Sequence, residues 1–178
     1  MKKIILSLVA IAAFGVANAQ EDMKFGAKAG INMSNFTGDA DTDSKIGFQV
    51  GAFAEFKVSE KFAVQPEILF SALGAKDDSD NYNSNYILVP VMAKYYVAEG
   101  FSLEAGPQIG FLMSAKYGDT DIKDAYKSTD FALNLGAGYD VAENINIGLR
   151  YSLGLSNVSD IGGDVKTSNI ALAVGYKF

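Results

Sequence analysis

The charges of this chain obey a parity rule. From Phe25 onward, large apolar residues alternate with small or polar ones in eight runs, near 24–34, 46–58, 62–71, 86–97, 101–114, 131–141, 145–156 and 168–178. In the second run the apolar set is Ile46, Phe48, Val50, Ala52, Ala54, Phe56 and Val58. Carried through all the runs, that parity holds no charge, whereas Lys28, Glu55, Lys57, Glu67, Lys94, Glu104, Asp140, Arg150 and Lys177 all fall in the alternate set with most of the 18 glycines. A period of two is the mark of strands with unlike faces, so the chain reads as all-β, and each strand separates two different environments.

Two barrels satisfy this pattern. In a soluble periplasmic lipocalin-like barrel the apolar set would line a cavity for an apolar ligand. Bulky residues at nearly every inward position overfill an eight-stranded bore, however, while mixed Gly, Ala, Ser and long polar residues suit it. Inverted, the bulky set faces lipid over runs of roughly 9 to 11 residues, the length a tilted transmembrane strand needs. A Lys or Arg on that face would cost about 2–4 kcal/mol at mid-bilayer. The reading is therefore an eight-stranded antiparallel transmembrane up-and-down β-barrel, with the soluble barrel as its alternative.

Connections alternate between long and short. The short ones repeat as Val58-Ser-Glu-Lys-Phe62, Val97-Ala-Glu-Gly-Phe101 and Val141-Ala-Glu-Asn-Ile145, three-residue hairpin loops whose last position suits a left-handed backbone, well at Gly100 and Asn144 and less well at Lys61. Phe56, Tyr95 and Tyr139 each precede the valine by two residues, and Tyr176-Lys177-Phe178 repeats that ending. A strand edge left open in hydrocarbon would strand unpaired N–H and C=O groups at several kcal/mol each, so the last strand, NIALAVGYKF, must pair with the first, KFGAKAGINMS. Phe56, Phe62, Tyr95, Phe101, Tyr139, Tyr176 and Phe178 then form an interfacial girdle at the short-turn end. Pro66, Pro90 and Pro107 lie inside the runs, where bulges or broken pairing are expected.

Lys2 and Lys3, the apolar run to Val16 and Ala17-Asn18-Ala19 form the three zones of a secretory signal peptide, which sets the expected division at 1–19 and a barrel domain at 20–178. The formal net charge is −6, and −8 once Lys2 and Lys3 leave with the leader, which speaks against nucleic acid as a partner. The absence of cysteine removes disulfides and a lipid-attachment thiol.

The leader followed by Gln20, the early strand Phe25-Gly-Ala-Lys-Ala-Gly-Ile-Asn and the terminal Tyr176-Lys177-Phe178 resemble the small outer-membrane β-barrels of Bacteroidota, the PorT-like or porin-family barrel domain. The resemblance covers residues 20–178. It implies an outer-membrane address, a terminal Tyr176 and Phe178 read by the assembly machinery, and a functionally mixed family in which secretion partners occur.

Three groups of side chains are candidate sites. Lys28, Glu55, Glu67, Lys94, Glu104 and Arg150 share the inner face; register from the short turns sets Lys94 opposite Glu104 and Glu55 opposite Gln65, so a charge network filling the lumen is expected, with acid/base work or a narrow channel as the sharper alternative. Asp39, Asp41, Asp43, Asp77, Asp78 and Asp80 crowd two long loops, a candidate surface for hard cations bridging to lipopolysaccharide, beside the plainer reading of a solvated acidic surface. Their spacing fails as an EF-hand, because Ser44 and Val50 stand where the turn glycine and bidentate glutamate belong. The third long loop, Lys116 to Asp130, carries Tyr117, Ile122 and Tyr126, either a partner site or packing against the rim.

Enzyme signatures are missing. With no histidine or cysteine there is no Ser-His, Cys-His or His-metal arrangement, and no cofactor is implied. The sequence therefore predicts a monomeric, non-enzymatic barrel of the cell outer membrane. Its work would be structural or interactive, with lipid, lipopolysaccharide and a surface or secretion partner as candidate contacts.

Overall fold

The computed structural model describes residues 23–38, 42–76, 80–159 and 163–178. The leader at 1–19 and the candidate residues Asp39, Asp41, Asp77 and Asp78 lie outside the described residues. Eight long strands follow in order: β1 (Met23–Gly38), β2 (Asp43–Ser59), β3 (Phe62–Lys76), β4 (Asn81–Ala98), β5 (Phe101–Tyr117), β7 (Thr129–Ala142), β8 (Ile145–Gly154) and β9 (Val165–Lys177). A two-residue β6 (Thr120–Asp121) folds back on the end of β5, followed by a 3-10 turn at Lys123–Ala125. Each long strand pairs antiparallel with its sequence neighbours, and β1 with β9 closes the cylinder, from Gly26 opposite Lys177 to Gly38 opposite Val165.

Most strands run past the apolar band. β4 begins at Asn81 and β1 continues to Gly38, because alternation marks only the stretch with an apolar outer face while the hydrogen-bond ladder continues through polar residues beyond it.

The three short turns are built alike. In each, the valine is an extra residue: the register slips between Lys57 and Ser59, between Tyr96 and Ala98, and between Asp140 and Ala142. The bulge absorbs that residue, so Lys94 still meets Glu104, and the pairs on either side of Glu55 hold the register that sets it against Gln65. Of the three short turns only that at Gly100 takes the left-handed backbone, at φ 73°; the same expectation at Lys61 and Asn144 is not met, since no described non-glycine residue has positive φ. A β-branched side chain at φ 73° should strain the turn, so Gly100→Val is expected to lower stability by about 1–2 kcal/mol in urea unfolding.

At the prolines the structure shows the expected broken pairing and no bulge. No register shift accompanies Pro66, Pro90 or Pro107; pairing of β3 with β4 lapses between Pro66–Val91 and Leu69–Leu88, that of β4 with β5 lapses between Pro90–Gln108 and Ala93–Ala105, and both resume in register. The missing N–H removes a ladder bond without requiring an extra residue. True irregularities lie nearer the long-loop end, at Ser44/Gln49 and Asn85/Tyr86. Beside the first of them, Ser34 Oγ both receives Gly74 N–H and donates to Gly74 O, each at 2.8 Å.

The apolar parity faces outward: Ile46, Phe48, Val50, Leu149, Leu172 and Val174 are exposed, while Glu55, Glu67, Lys94 and Arg150 are buried. This overturns the soluble lipocalin-like alternative, which needed the bulky set to line a cavity. The girdle is present, with Phe62 opposite Tyr95, Phe101 opposite Tyr139, and the Tyr176 and Phe178 rings edge-to-face at 5.7 Å.

Candidate functional site: a bore closed at two levels

Inward positions on all eight long strands deliver the charged side chains to one lumen. Glu67 on β3 accepts from Lys28 Nζ at 2.8 Å and from both terminal nitrogens of Arg150 at 2.8 Å, with Gln65 Nε2 at 2.6 Å. Arg150 also meets Glu104 at 3.4 Å, and Glu104 lies 3.5 Å from Lys94. Lys94 donates to Glu55 at 2.7 Å, and Glu55 further accepts from Tyr96 OH at 3.1 Å and Lys177 at 3.5 Å. Lys177 finally reaches Asp140 at 3.1 Å, which accepts from Asn146 at 2.8 Å. Four bases and four acids thus form one continuous chain of contacts. A buried charge without a partner would cost several kcal/mol, and balanced alternation removes that cost.

All six lumen residues singled out from the sequence belong to this chain. Lys28 on β1 reaches Glu67 on β3, two residues from Leu69, which shares its row through Gly51 of β2, so strand stagger sets this pair. Lys177 and Asp140 complete the network; the parity rule places both on the inner face. Phe53 is an aromatic on the polar side, lying against Gly26 and Gly175 with Lys28 Nζ 5.4 Å from its ring centre. A void of about 10 Å³ beside Lys28, Glu104 and Arg150 has room for one water at most.

Toward the long loops the lumen turns apolar, with Leu69, Tyr86, Leu88 and Leu112 buried against one another. Ile122 and Tyr126 of the third loop pack onto this cluster from above. A second cluster, Phe36, Ala75 and Val158, shares Tyr126, whose ring centre lies 6.0 Å from that of Phe36. Val158 is fully buried although it sits in the fourth loop, and Lys127 N donates to its carbonyl at 2.9 Å. Tyr126 bridges to Ser159, so the two loops cap the mouth together. Burial, with Tyr82 beside it, pushes the Tyr126 phenol up to about 12, which keeps it neutral in the cap.

Tyr117, Ile122 and Tyr126 are therefore half-buried: the Tyr117 ring packs tilted against that of Tyr82, centres 4.7 Å apart, and the other two plug the mouth. What this loop turns outward is charge, at Asp119, Asp121, Lys123, Asp124 and Lys127. Of the aspartates proposed for cations, Asp43 is exposed opposite Lys76, and Asp80 accepts from Asn81 N–H at 2.8 Å. Among the described residues no three acidic side chains gather as a metal site. Val158 carried no sequence signal, because a single valine in a polar loop has no period to betray it.

An eight-stranded closed barrel with an apolar outer wall and a filled polar bore defines a class, the small barrel of a bacterial outer membrane. The chain belongs to the outer membrane protein beta-barrel domain family, whose model matches residues 6–178. Solved structures agree on the fold. Neisserial surface protein A superposes with a TM-score of 0.65 at 15% identity, covering 86% of this chain and 97% of that one. Ail, the attachment invasion locus protein of Yersinia pestis, gives 0.57 at 18% identity, covering 88% and 99%. The outer membrane enzyme PagL gives 0.52 at 11% identity, covering 85% and 98%. Curated protein sequences give no match.

Proposed function

We propose that this protein is a closed, non-conducting outer-membrane barrel that acts through its long loops as a surface-interaction module. One observation carries the reading: the bore is blocked twice, by the ion-pair chain toward the short turns and by the Ile122–Tyr126–Val158 cap at the opposite mouth. What remains accessible is the loop surface. The short turns and both termini face the periplasm, and the acidic loops face outward, toward lipopolysaccharide with its counter-cations or toward another cell. Within the family we take the chain as a PorT-like barrel of Bacteroidota, exported by a cleaved leader, on the strength of its early strand and its Tyr176-Lys177-Phe178 ending.

A surface role also fits the attachment and invasion named for Ail. PagL shows that the fold can host an enzyme, but this chain has no histidine, and Glu55, Glu67, Glu104 and Asp140 are engaged by bases. A secretion-associated role is the lesser reading.

Two measurements test this. Purified protein in planar bilayers should give no stepwise conductance large enough for hydrated solutes; regular steps would contradict a filled bore. Cells displaying the protein should lose adhesion when Asp119, Asp121 and Asp124 are changed to asparagine, with the amount of assembled barrel unchanged. Equal adhesion would remove the third loop from the proposal.

A further inference from the structure

Every buried carboxylate of the lumen chain has a base within 3.5 Å, with one exception higher in the bore. Asp130, at the start of β7, is only 6% exposed, and among the described residues no Lys or Arg lies within 4.0 Å of it. Its oxygens instead receive two hydroxyls, Ser156 Oγ at 2.7 Å and Thr167 Oγ1 at 2.7 Å. Nearby, Tyr86 is 1% exposed and its hydroxyl has no hydrogen-bond partner. Both residues border Gly110: a methyl group there would lie 3.3 Å from Tyr86 Cδ1 and 3.7 Å from Asp130 Cβ.

A buried carboxylate ringed by neutral oxygens has a defined deficiency. It lacks one positive charge, and the hydroxyl oxygens around it have lone pairs to give, Ser156 Oγ keeping one of its two after accepting Phe131 N–H at 2.8 Å. A divalent ion would leave a net positive charge in the same low-dielectric space, whereas a monovalent ion leaves none. We propose that Asp130, Ser156, Thr167 and Tyr86 form a sodium-binding site beneath the loop cap. The placement gives the ion a purpose. Asp130 lies at the start of β7 just after the third loop, Ser156 opens the fourth loop and Thr167 lies at the start of β9 just after it, so one ion ties together the bases of the two loops that hold Tyr126 and Val158 in the mouth.

The test compares sodium chloride with choline chloride at equal ionic strength, since choline screens charge equally but is too large to enter. The readout is thermal unfolding of the full barrel in detergent, followed by loss of its compact gel mobility. The wild-type midpoint should be a few degrees higher in sodium. Asp130→Asn should unfold at one temperature in both salts, and in choline it should be at least as stable as the wild type, because a buried charge is gone. Tyr86→Phe removes only the hydroxyl and should shrink the sodium response without preventing folding. Equal wild-type midpoints in the two salts would mean that a proton or a water neutralises the site and would overturn the proposal. So would an undiminished sodium response in Asp130→Asn or Tyr86→Phe, which would place the ion elsewhere.

Discussion

Changing Glu67 to glutamine is expected to lower the unfolding free energy by about 3–5 kcal/mol, the usual result of leaving a buried charge without its partner. Glu67 is where two cations converge: Lys28 at 2.8 Å and the Arg150 guanidinium at 2.8 Å on each carboxylate oxygen. Among the described residues Arg150 would keep only Glu104, at 3.4 Å, and Lys28 would lose the one carboxylate within ion-pair distance. Adding Lys28→Met to Glu67→Gln removes one charge of each sign, so the double variant should recover most of the loss. That non-additivity, read from urea unfolding of the four proteins in the cycle, separates a charge network from simple loss of packing. If the double variant is as unstable as the sum of the singles, the lumen chain does not act as a unit.

Changing Leu149 to arginine should cost about 2–4 kcal/mol and reduce the amount of assembled barrel. Leu149 lies at the centre of β8 on the outer wall, beside Leu172 of β9 and Ala137 of β7, and it is 56% exposed to whatever surrounds the barrel. In water, arginine at so open a position would be nearly neutral. In hydrocarbon it must be dragged to the interface or hydrated in place. Leu149→Ile, equally apolar, should assemble normally. An arginine variant as stable as the wild type would mean that this wall meets water.

The architecture was legible because period-two alternation is local and the charges kept to one parity. Pairing of NIALAVGYKF with β1 followed from closure alone, and Lys94 opposite Glu104 followed from one turn, because the bulge at Val97 preserves the count on either side. Sequence reasoning stopped where stagger begins. Lys28 reaches Glu67 on β3, two strands away, and the slant between strands is invisible in any single run. The cap was hidden for another reason: Ile122, Tyr126 and Val158 come from loops with no period, and their burial depends on where the third and fourth loops meet. Lys61 and Asn144 avoid the left-handed region although their loops repeat that of Gly100, so position in a repeat did not fix conformation. The prolines broke hydrogen bonds without shifting register because β3, β4 and β5 are paired correctly on both sides of each lapse.

The most direct measurement of which face meets lipid is accessibility of spin labels placed one at a time along β8. The chain has no cysteine, so each single cysteine from 145 to 153 carries the only label. In a bilayer the labels at 147, 149, 151 and 153 should be relaxed by oxygen, which concentrates in hydrocarbon, and labels at 148, 150 and 152 should be shielded from both oxygen and a polar nickel reagent. Labels at 147, 149, 151 and 153 that respond to nickel rather than oxygen would show that the apolar wall meets water, and the account of a membrane barrel with a closed, charged bore would be wrong.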